Sequence, residues 1–283
     1  MSDGRPLTPV LLRMLEGRVG STLVMQLLGS SAAIAFDREY PFENSYLTYL
    51  ARLASQLDRD PSETDTMGDL VYSSDRRVAP LPFVPRTVSA PELARRALGA
   101  LWGAFSESVV DRCAARYYAE KFWGDVEPLQ GAGLRPIVID LVRDPRDIIA
   151  SIRAFNAKTG IRRFGRDQVE TDGQHLAHLV VGMGFRLRQM DSPVGASHAV
   201  LRYEDVASDL DAAARSLGRL LGLELEPDKV LSARSSMAGH MTSASVEASV
   251  GRWRADLSDE EVALVERRLG PAMARLGYET VTR

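Results

Sequence analysis

PVLLRMLEGRVGSTLVMQLL, residues 9–28, reads as a strand, a tight loop and a helix. Val10, Leu11, Leu12, Met14 and Leu15 form an apolar run of strand length. Glu16, Gly17, Arg18, Val19 and Gly20 make the turn. Ser21 stands where a helix N-cap belongs, and Leu23, Val24, Leu27 and Leu28 supply one apolar face. Such a turn aims free backbone N–H groups, the positive end of a helix dipole and the Arg18 guanidinium at one point, which suits a phosphate or sulfate. The usual phosphate loop, GxxxxGK[ST], places a lysine before the hydroxyl residue. Here the loop is shorter and has no lysine. Glycines that serve only the sterics of a βα turn are the competing reading, and this stretch alone leaves both open.

A second stretch, RPIVIDLVRDPRDIIASIRAFNA at residues 135–157, repeats the pattern. Ile137 to Val142 is nearly all apolar, as in a strand buried on both faces. Asp144 fits an N-cap and Pro145 the first helical position. Ile148, Ile152 and Phe155 recur at i, i+4, i+7 on a core-facing helix. Arg143 therefore sits at the carboxyl end of a strand, where open α/β sheets bind ligands, with Ser151 two turns into the next helix. An Arg143–Asp147 pair with Ser151 on the surface is the alternative.

Together these stretches resemble the sulfotransferases that use 3′-phosphoadenosine 5′-phosphosulfate (PAPS). In that family a strand-loop-helix near the N-terminus, here GRVGSTL, holds the 5′-phosphosulfate. A later strand-helix carries an Arg and, eight positions on, a Ser that grip the 3′-phosphate, as Arg143 and Ser151 are spaced. LRYEDV, residues 201–206, looks like the family's next strand end, where a tyrosine, here Tyr203, lies near the nucleotide. SVGRW, residues 249–253, looks like the late loop that closes over PAPS with a basic residue. The resemblance implies a cofactor site of Gly17, Arg18, Val19, Gly20, Ser21, Thr22, Arg143, Ser151, Tyr203, Ser243, Arg252 and Trp253, with no metal and with adenosine 3′,5′-bisphosphate (PAP) as product. Cytosolic small-molecule sulfotransferases carry lysine in the first loop. Arg18 takes that place here, as in tyrosylprotein and bacterial carbohydrate sulfotransferases, which argues against simple phenol or steroid acceptors.

The same resemblance implies the chemistry. Sulfuryl transfer, like phosphoryl transfer, needs positioning, charge stabilisation and a base for the acceptor hydroxyl. Arg18 is expected to stabilise the leaving phosphate. Glu39 is expected to be the base, because its interval from Arg18 matches the family's interval from loop arginine to catalytic glutamate. Glu43 and Asp37 are the runners-up, and a surface carboxylate paired with Arg38 is the competing role for Glu39. His175, His178, His198 and His240 carry no HExxH or Cys/His cluster, so no metal site is expected. None of them matches the histidine base of the cytosolic enzymes.

The expected architecture is a three-layer, P-loop-like α/β fold with a short parallel sheet flanked by helices. It is expected as one domain over residues 1–283, with a helical and loop acceptor-binding insertion at about 44–130. A net charge of −3 discounts a bulk nucleic-acid or anionic-membrane binder. The single cysteine, Cys113, forbids an internal disulfide and suits a reducing compartment. No apolar signal segment opens the chain, and no apolar run reaches membrane-spanning length. A cytoplasmic and bacterial protein is expected, with a homodimer left open.

Along the chain, Ala32–Phe36 reads as a short strand, residues 37–43 as a loop, and residues 44–57 as a helix with Leu47, Leu50, Leu53 and Leu57 on one stripe. Residues 58–87 read as an irregular acceptor lid or a disordered segment. Residues 91–124 read as one or two helices bearing Trp102, Phe105, Tyr117, Tyr118, Phe122 and Trp123, mostly as core. The basic run with Arg162, Arg163 and Arg166 reads as a solvated loop. Further helices are expected over 175–190, 206–222 and 226–233, a strand over 199–203, and a loop over 238–255. Ser258 and Glu261 form a capping box for the last helix. The acceptor is expected to be a carbohydrate, a lipid-linked molecule or a secondary metabolite. A P-loop kinase and a non-catalytic PAPS-fold protein are the rival functions.

Overall fold

Five strands form an all-parallel sheet among the described residues: β1 (Thr8–Met14), β2 (Ile34–Ala35), β3 (Tyr117–Phe122), β4 (Ile137–Val142) and β5 (His198–Arg202). Their order is β2-β3-β1-β4-β5. In the β2–β3 pair, Ile34 aligns with Tyr117 and Ala35 with Tyr118. β4 is buried at all six positions and β1 at six of seven, as helices on both faces of a parallel sheet require. This computed structural model describes residues 6–39, 41–43, 45–57, 90–110, 113–160, 171–192, 197–232, 242–243 and 245–281. The readings of 58–87 as a lid and of the Arg162–Arg166 run as a loop lie outside these residues, as does His240. No helix among the described residues is long and apolar enough to cross a membrane.

The chain divides into two compact units, Met1–Leu12 with Ala32–Val138, and Arg13–Ser31 with Ile139–Arg283. In the first, helix α2 (Tyr46–Leu57) packs on α3 (Ala90–Val110), on α4 (Glu127–Gly131) and on β3. Tyr46 stacks on Phe105 at 4.1 Å, and Phe105 meets Tyr118 edge-on at 4.8 Å. Trp102 is buried and its Nε1–H donates to the Leu7 carbonyl at 2.9 Å. Most of the aromatic stripe is therefore core, whereas Trp123 is half-exposed.

One sequence expectation fails here. Residues 91–124 are not all helix: α3 ends at Val110, and Tyr117–Phe122 is β3. Two buried charges hide that strand in the sequence. Glu120 accepts the Leu47 and Thr48 N–H groups at 2.7 and 2.9 Å, and so caps α2 in place of a local side chain. Lys121 donates to the Pro41 carbonyl at 2.6 Å and pairs with Glu43 at 3.3 Å.

In the second unit, α1 (Ser21–Leu28) lies against α9 (Pro227–Ser232), and α5 (Pro145–Thr159) packs with α6 (Asp172–Met190) and α11 (Asp259–Arg275). Between them run α7 (Tyr203–Ser208), α8 (Leu210–Leu221) and α10 (Trp253–Asp256). The expected helix over 206–222 is broken in two because the Asp209 side chain caps a fresh start, accepting from Ala212 N–H at 2.8 Å. The strand before it ends one residue early, at Arg202, and Tyr203 opens α7. The expected loop over 238–255 contains a 3₁₀ turn, Glu247–Ser249, and α10. The Ser258–Glu261 capping box is present in both directions. Inside the sheet, Arg13 on β1 pairs with Asp140 on β4 at 2.6 Å, and Asp140 also meets His198 on β5 at 2.7 Å.

Candidate active site

The loop after β1 turns through two left-handed residues, Arg18 at φ 65° and Gly20 at φ 97°. Gly20, not Ser21, is the N-cap of α1, and Ser21 is its first helical residue. The reason is steric as well as conformational. A methyl group built on Gly20 would lie 2.6 Å from Cε2 of Tyr203, and closer still to Cδ2. The first helical N–H groups with an acceptor are those of Leu23 and Val24, both on the Gly20 carbonyl. The Ser21 and Thr22 N–H groups precede any helical acceptor, so they present donors and the positive dipole end at the mouth of the turn. Val19 is fully buried and anchors the loop. Gly17 N–H is tied to Glu16 Oε1 at 2.9 Å.

Arg143, at the carboxyl end of β4, is buried and does not pair with Asp147. Its Nη1 donates to the Arg18 carbonyl at 2.9 Å and its Nη2 to the Ser249 carbonyl at 2.6 Å. Its guanidinium lies 4.4 Å from the centre of the Tyr203 ring. The Tyr203 hydroxyl meets Ser249 Oγ at 2.8 Å. Arg143 thus joins the first loop, the Tyr203 strand end and the late loop. Its buried Nε has no hydrogen-bond partner among the described residues.

Beside it, Arg18 Nε donates to Ser151 Oγ at 3.4 Å, and its guanidinium lies 4.7 Å from the Phe155 ring centre. Ser151 Oγ is also 3.3 Å from Thr242 Oγ1. Arg252 Nη1 reaches the Thr242 carbonyl at 3.0 Å and Ser243 Oγ at 3.1 Å, while its Nε holds Asp256 at 2.7 Å. Two arginines and three hydroxyls thus converge on one place, all within the second unit.

The late loop is held from behind. Asp147, 1% exposed, accepts Gly251 N–H on Oδ2 at 2.7 Å and Trp253 N–H on Oδ1 at 3.0 Å. Burial lifts its pKa above the ordinary aspartate value, against the opposing pull of those two N–H groups and of Arg143. Trp253 does not face the arginine cluster. Its ring is buried with Ala150 and Val262, under the Arg146 guanidinium at 3.9 Å. Arg146 in turn binds Asp144, Glu266 and the Glu279 carbonyl.

Of the residues expected at the site, Arg18, Gly20, Arg143, Ser151, Tyr203, Ser243 and Arg252 are joined in one network. Sequence reading missed Thr242, Ser249 and Asp147 as members of it. The one available signal was the N–H-rich Gly251–Trp253 turn, which needs an acceptor from outside its own segment. Glu39 belongs to the first unit. It is exposed, its N–H donates to Asp37 Oδ1 at 3.0 Å, and its carbonyl accepts from Phe42 N–H at 2.7 Å. Phe42 is left-handed, at φ 62°. The donor set of the second unit fits a ligand with separate phosphate groups: backbone N–H groups at a helix start, paired arginines, hydroxyls and one orphaned guanidinium nitrogen.

No family model and no curated protein matches this sequence. Among solved structures, the sulfotransferase domain from the curacin biosynthetic pathway is 14% identical and matches at a TM-score of 0.50. That match covers 97% of this chain and 99% of that one. The sulfotransferase domain of the Synechococcus PCC 7002 olefin synthase is 15% identical, with a TM-score of 0.49 over 94% of this chain and 96% of that one. A retinol dehydratase solved with androsterone and inactive cofactor PAP is 14% identical, with a TM-score of 0.47 over 98% and 83%. The likeness to the curacin domain shows that this chain has a sulfotransferase fold.

Proposed function

We propose that this chain is a PAPS-dependent sulfotransferase acting on the hydroxyl of a carbohydrate, lipid-linked or secondary-metabolite acceptor. The observation that carries the reading is the convergence of Arg18, Ser151, Thr242, Ser243 and Arg252 beside the N-terminus of α1. When bound, PAPS supplies the sulfuryl group. The Ser21 and Thr22 N–H groups and hydroxyls hold the 5′-phosphate. Ser151, Ser243 and Arg252 hold the 3′-phosphate, and Arg143 fixes the loops that carry these groups. Arg18 stabilises the charge that builds on the leaving oxygen. Glu39 takes the proton of the acceptor hydroxyl. The late-loop contribution of Trp253 is structural in this reading, since its ring is buried. A single cysteine suits a reducing, cytoplasmic setting.

Calorimetric titration with PAP, without magnesium, tests the reading. Micromolar binding is expected for wild type, with at least a tenfold loss in Arg252→Ala and Ser151→Ala. The Glu39→Gln variant is expected to keep PAP affinity and lose turnover with PAPS. Wild type that ignores PAP refutes the nucleotide site, and near-normal turnover in Glu39→Gln refutes the base.

A further inference from the structure

We infer that Asp147 is a positioning residue for nucleotide binding: it clasps the Gly251–Trp253 turn and so sets Arg252 and the Ser249 carbonyl in place. This rests on the nucleotide reading above and adds a residue to it. The geometry is two-sided. Each carboxylate oxygen takes one N–H from the turn, Gly251 on Oδ2 and Trp253 on Oδ1. The residue between those two N–H groups is Arg252, whose Nη1 reaches Thr242 and Ser243. The residue two before Gly251 is Ser249, whose carbonyl accepts from Arg143.

Side-chain packing of Trp253 and the Arg252 contacts hold the turn's ends, but the Gly251 and Trp253 N–H groups are bonded by Asp147 alone among the described residues. Gly251 is left-handed at φ 72°, α10 is four residues long, and no side chain caps it. A buried aspartate is costly to desolvate unless both its oxygens are bonded. Here the turn's N–H groups bond both, so the carboxylate and the turn fix each other. Arg143 and Asp147 stand on one short segment at the β4–α5 junction. Arg143 holds the first loop and the late loop by their carbonyls, and Asp147 holds the late loop by its N–H groups. Arg143 and Asp144 are the charged groups that bear on Asp147, the first favouring its ionised form and the second opposing it.

An amide cannot replace this carboxylate. Asp147→Asn keeps one acceptor oxygen and turns an NH₂ group toward the other N–H, so one bond becomes a donor–donor contact. The test uses amide hydrogen exchange over residues 245–256 together with PAP titration. In wild type, the Gly251 and Trp253 amides are expected to be protected, and PAP is expected to slow them further. In Asp147→Asn those amides exchange at least tenfold faster, PAP affinity falls at least tenfold, the KM for PAPS rises and kcat at saturation is kept. Asp147→Glu restores less than half of the lost affinity, because the longer side chain overshoots the turn.

Unchanged exchange in Asp147→Asn overturns the clasp. Faster exchange with unchanged PAP affinity overturns its link to the nucleotide. If Asp147→Asn fails to fold, wild type alone decides, since a PAP-insensitive exchange rate at Gly251 and Trp253 overturns the proposal. Wild type without PAP affinity refutes the nucleotide reading and, with it, the nucleotide role of Asp147. The clasp itself is then judged by the exchange comparison.

Discussion

Replacing Gly20 with alanine introduces two separable costs. The left-handed backbone at φ 97° penalises any Cβ by about 1–2 kcal/mol. The added methyl also overlaps the Tyr203 ring, at 2.6 Å from Cε2, and overpacking of this kind costs about 1–3 kcal/mol. The sum, roughly 2–5 kcal/mol, is a large share of an ordinary protein's stability. A double-mutant cycle separates the two. Tyr203→Ala removes the ring, so Gly20→Ala in that background should cost only the backbone penalty. The coupling energy should therefore be about 1–3 kcal/mol, read from urea denaturation of the four proteins. PAP affinity should fall in both single variants, because Tyr203 also carries the Arg143 stack and the Ser249 bond. Strictly additive costs, with coupling below about 0.5 kcal/mol, would refute the argument that this glycine exists for the ring.

Two further predictions concern buried charge. Burial pushes the Glu120 carboxyl up to about 7 from an ordinary 4.5, only partly opposed by the three hydrogen bonds from Leu47 and Thr48. Between those values the folded state holds the extra proton, so this group's contribution to stability is full below about pH 4.5 and is lost as pH rises to 7. The loss from this group is about 3 kcal/mol, and Glu120→Gln should flatten that slope in denaturation series at pH 5 and pH 7.5. Arg13→Met leaves Asp140, which is 1% exposed, with His198 as its one remaining partner among the described residues, and should cost up to about 3–5 kcal/mol in urea denaturation. Adding Asp140→Leu should recover part of it, the lost His198 bond keeping the rest, whereas a double variant no more stable than Arg13→Met would count against an uncompensated buried charge as the cause.

What could be read in the sequence was what short-range rules govern. β1 with its turn, and β4 with the Asp144 cap and Pro145, are specified within about ten residues. Their apolar runs and caps stood out for that reason. β3 was illegible because two of its residues are charged, and their partners lie 72 to 80 residues away at Leu47, Thr48 and Pro41. Asp147 escaped notice for the same reason, since its two donors are 104 and 106 positions distant. Ser21 looked like a cap by composition. The neighbour that makes glycine the better cap, Tyr203, is far along the chain.

The two carbonyls held by Arg143 also bear on synthesis. The first loop is made well before Arg143, which holds the Arg18 carbonyl from 125 positions further on. Arg143 in turn lacks its second anchor until Ser249 is made. Contacts of such separation form late and slow folding. A nascent chain that stops short of Ser249 would therefore hold the Arg143 guanidinium bound on one side only, and this junction would close after most of the surrounding helices had formed.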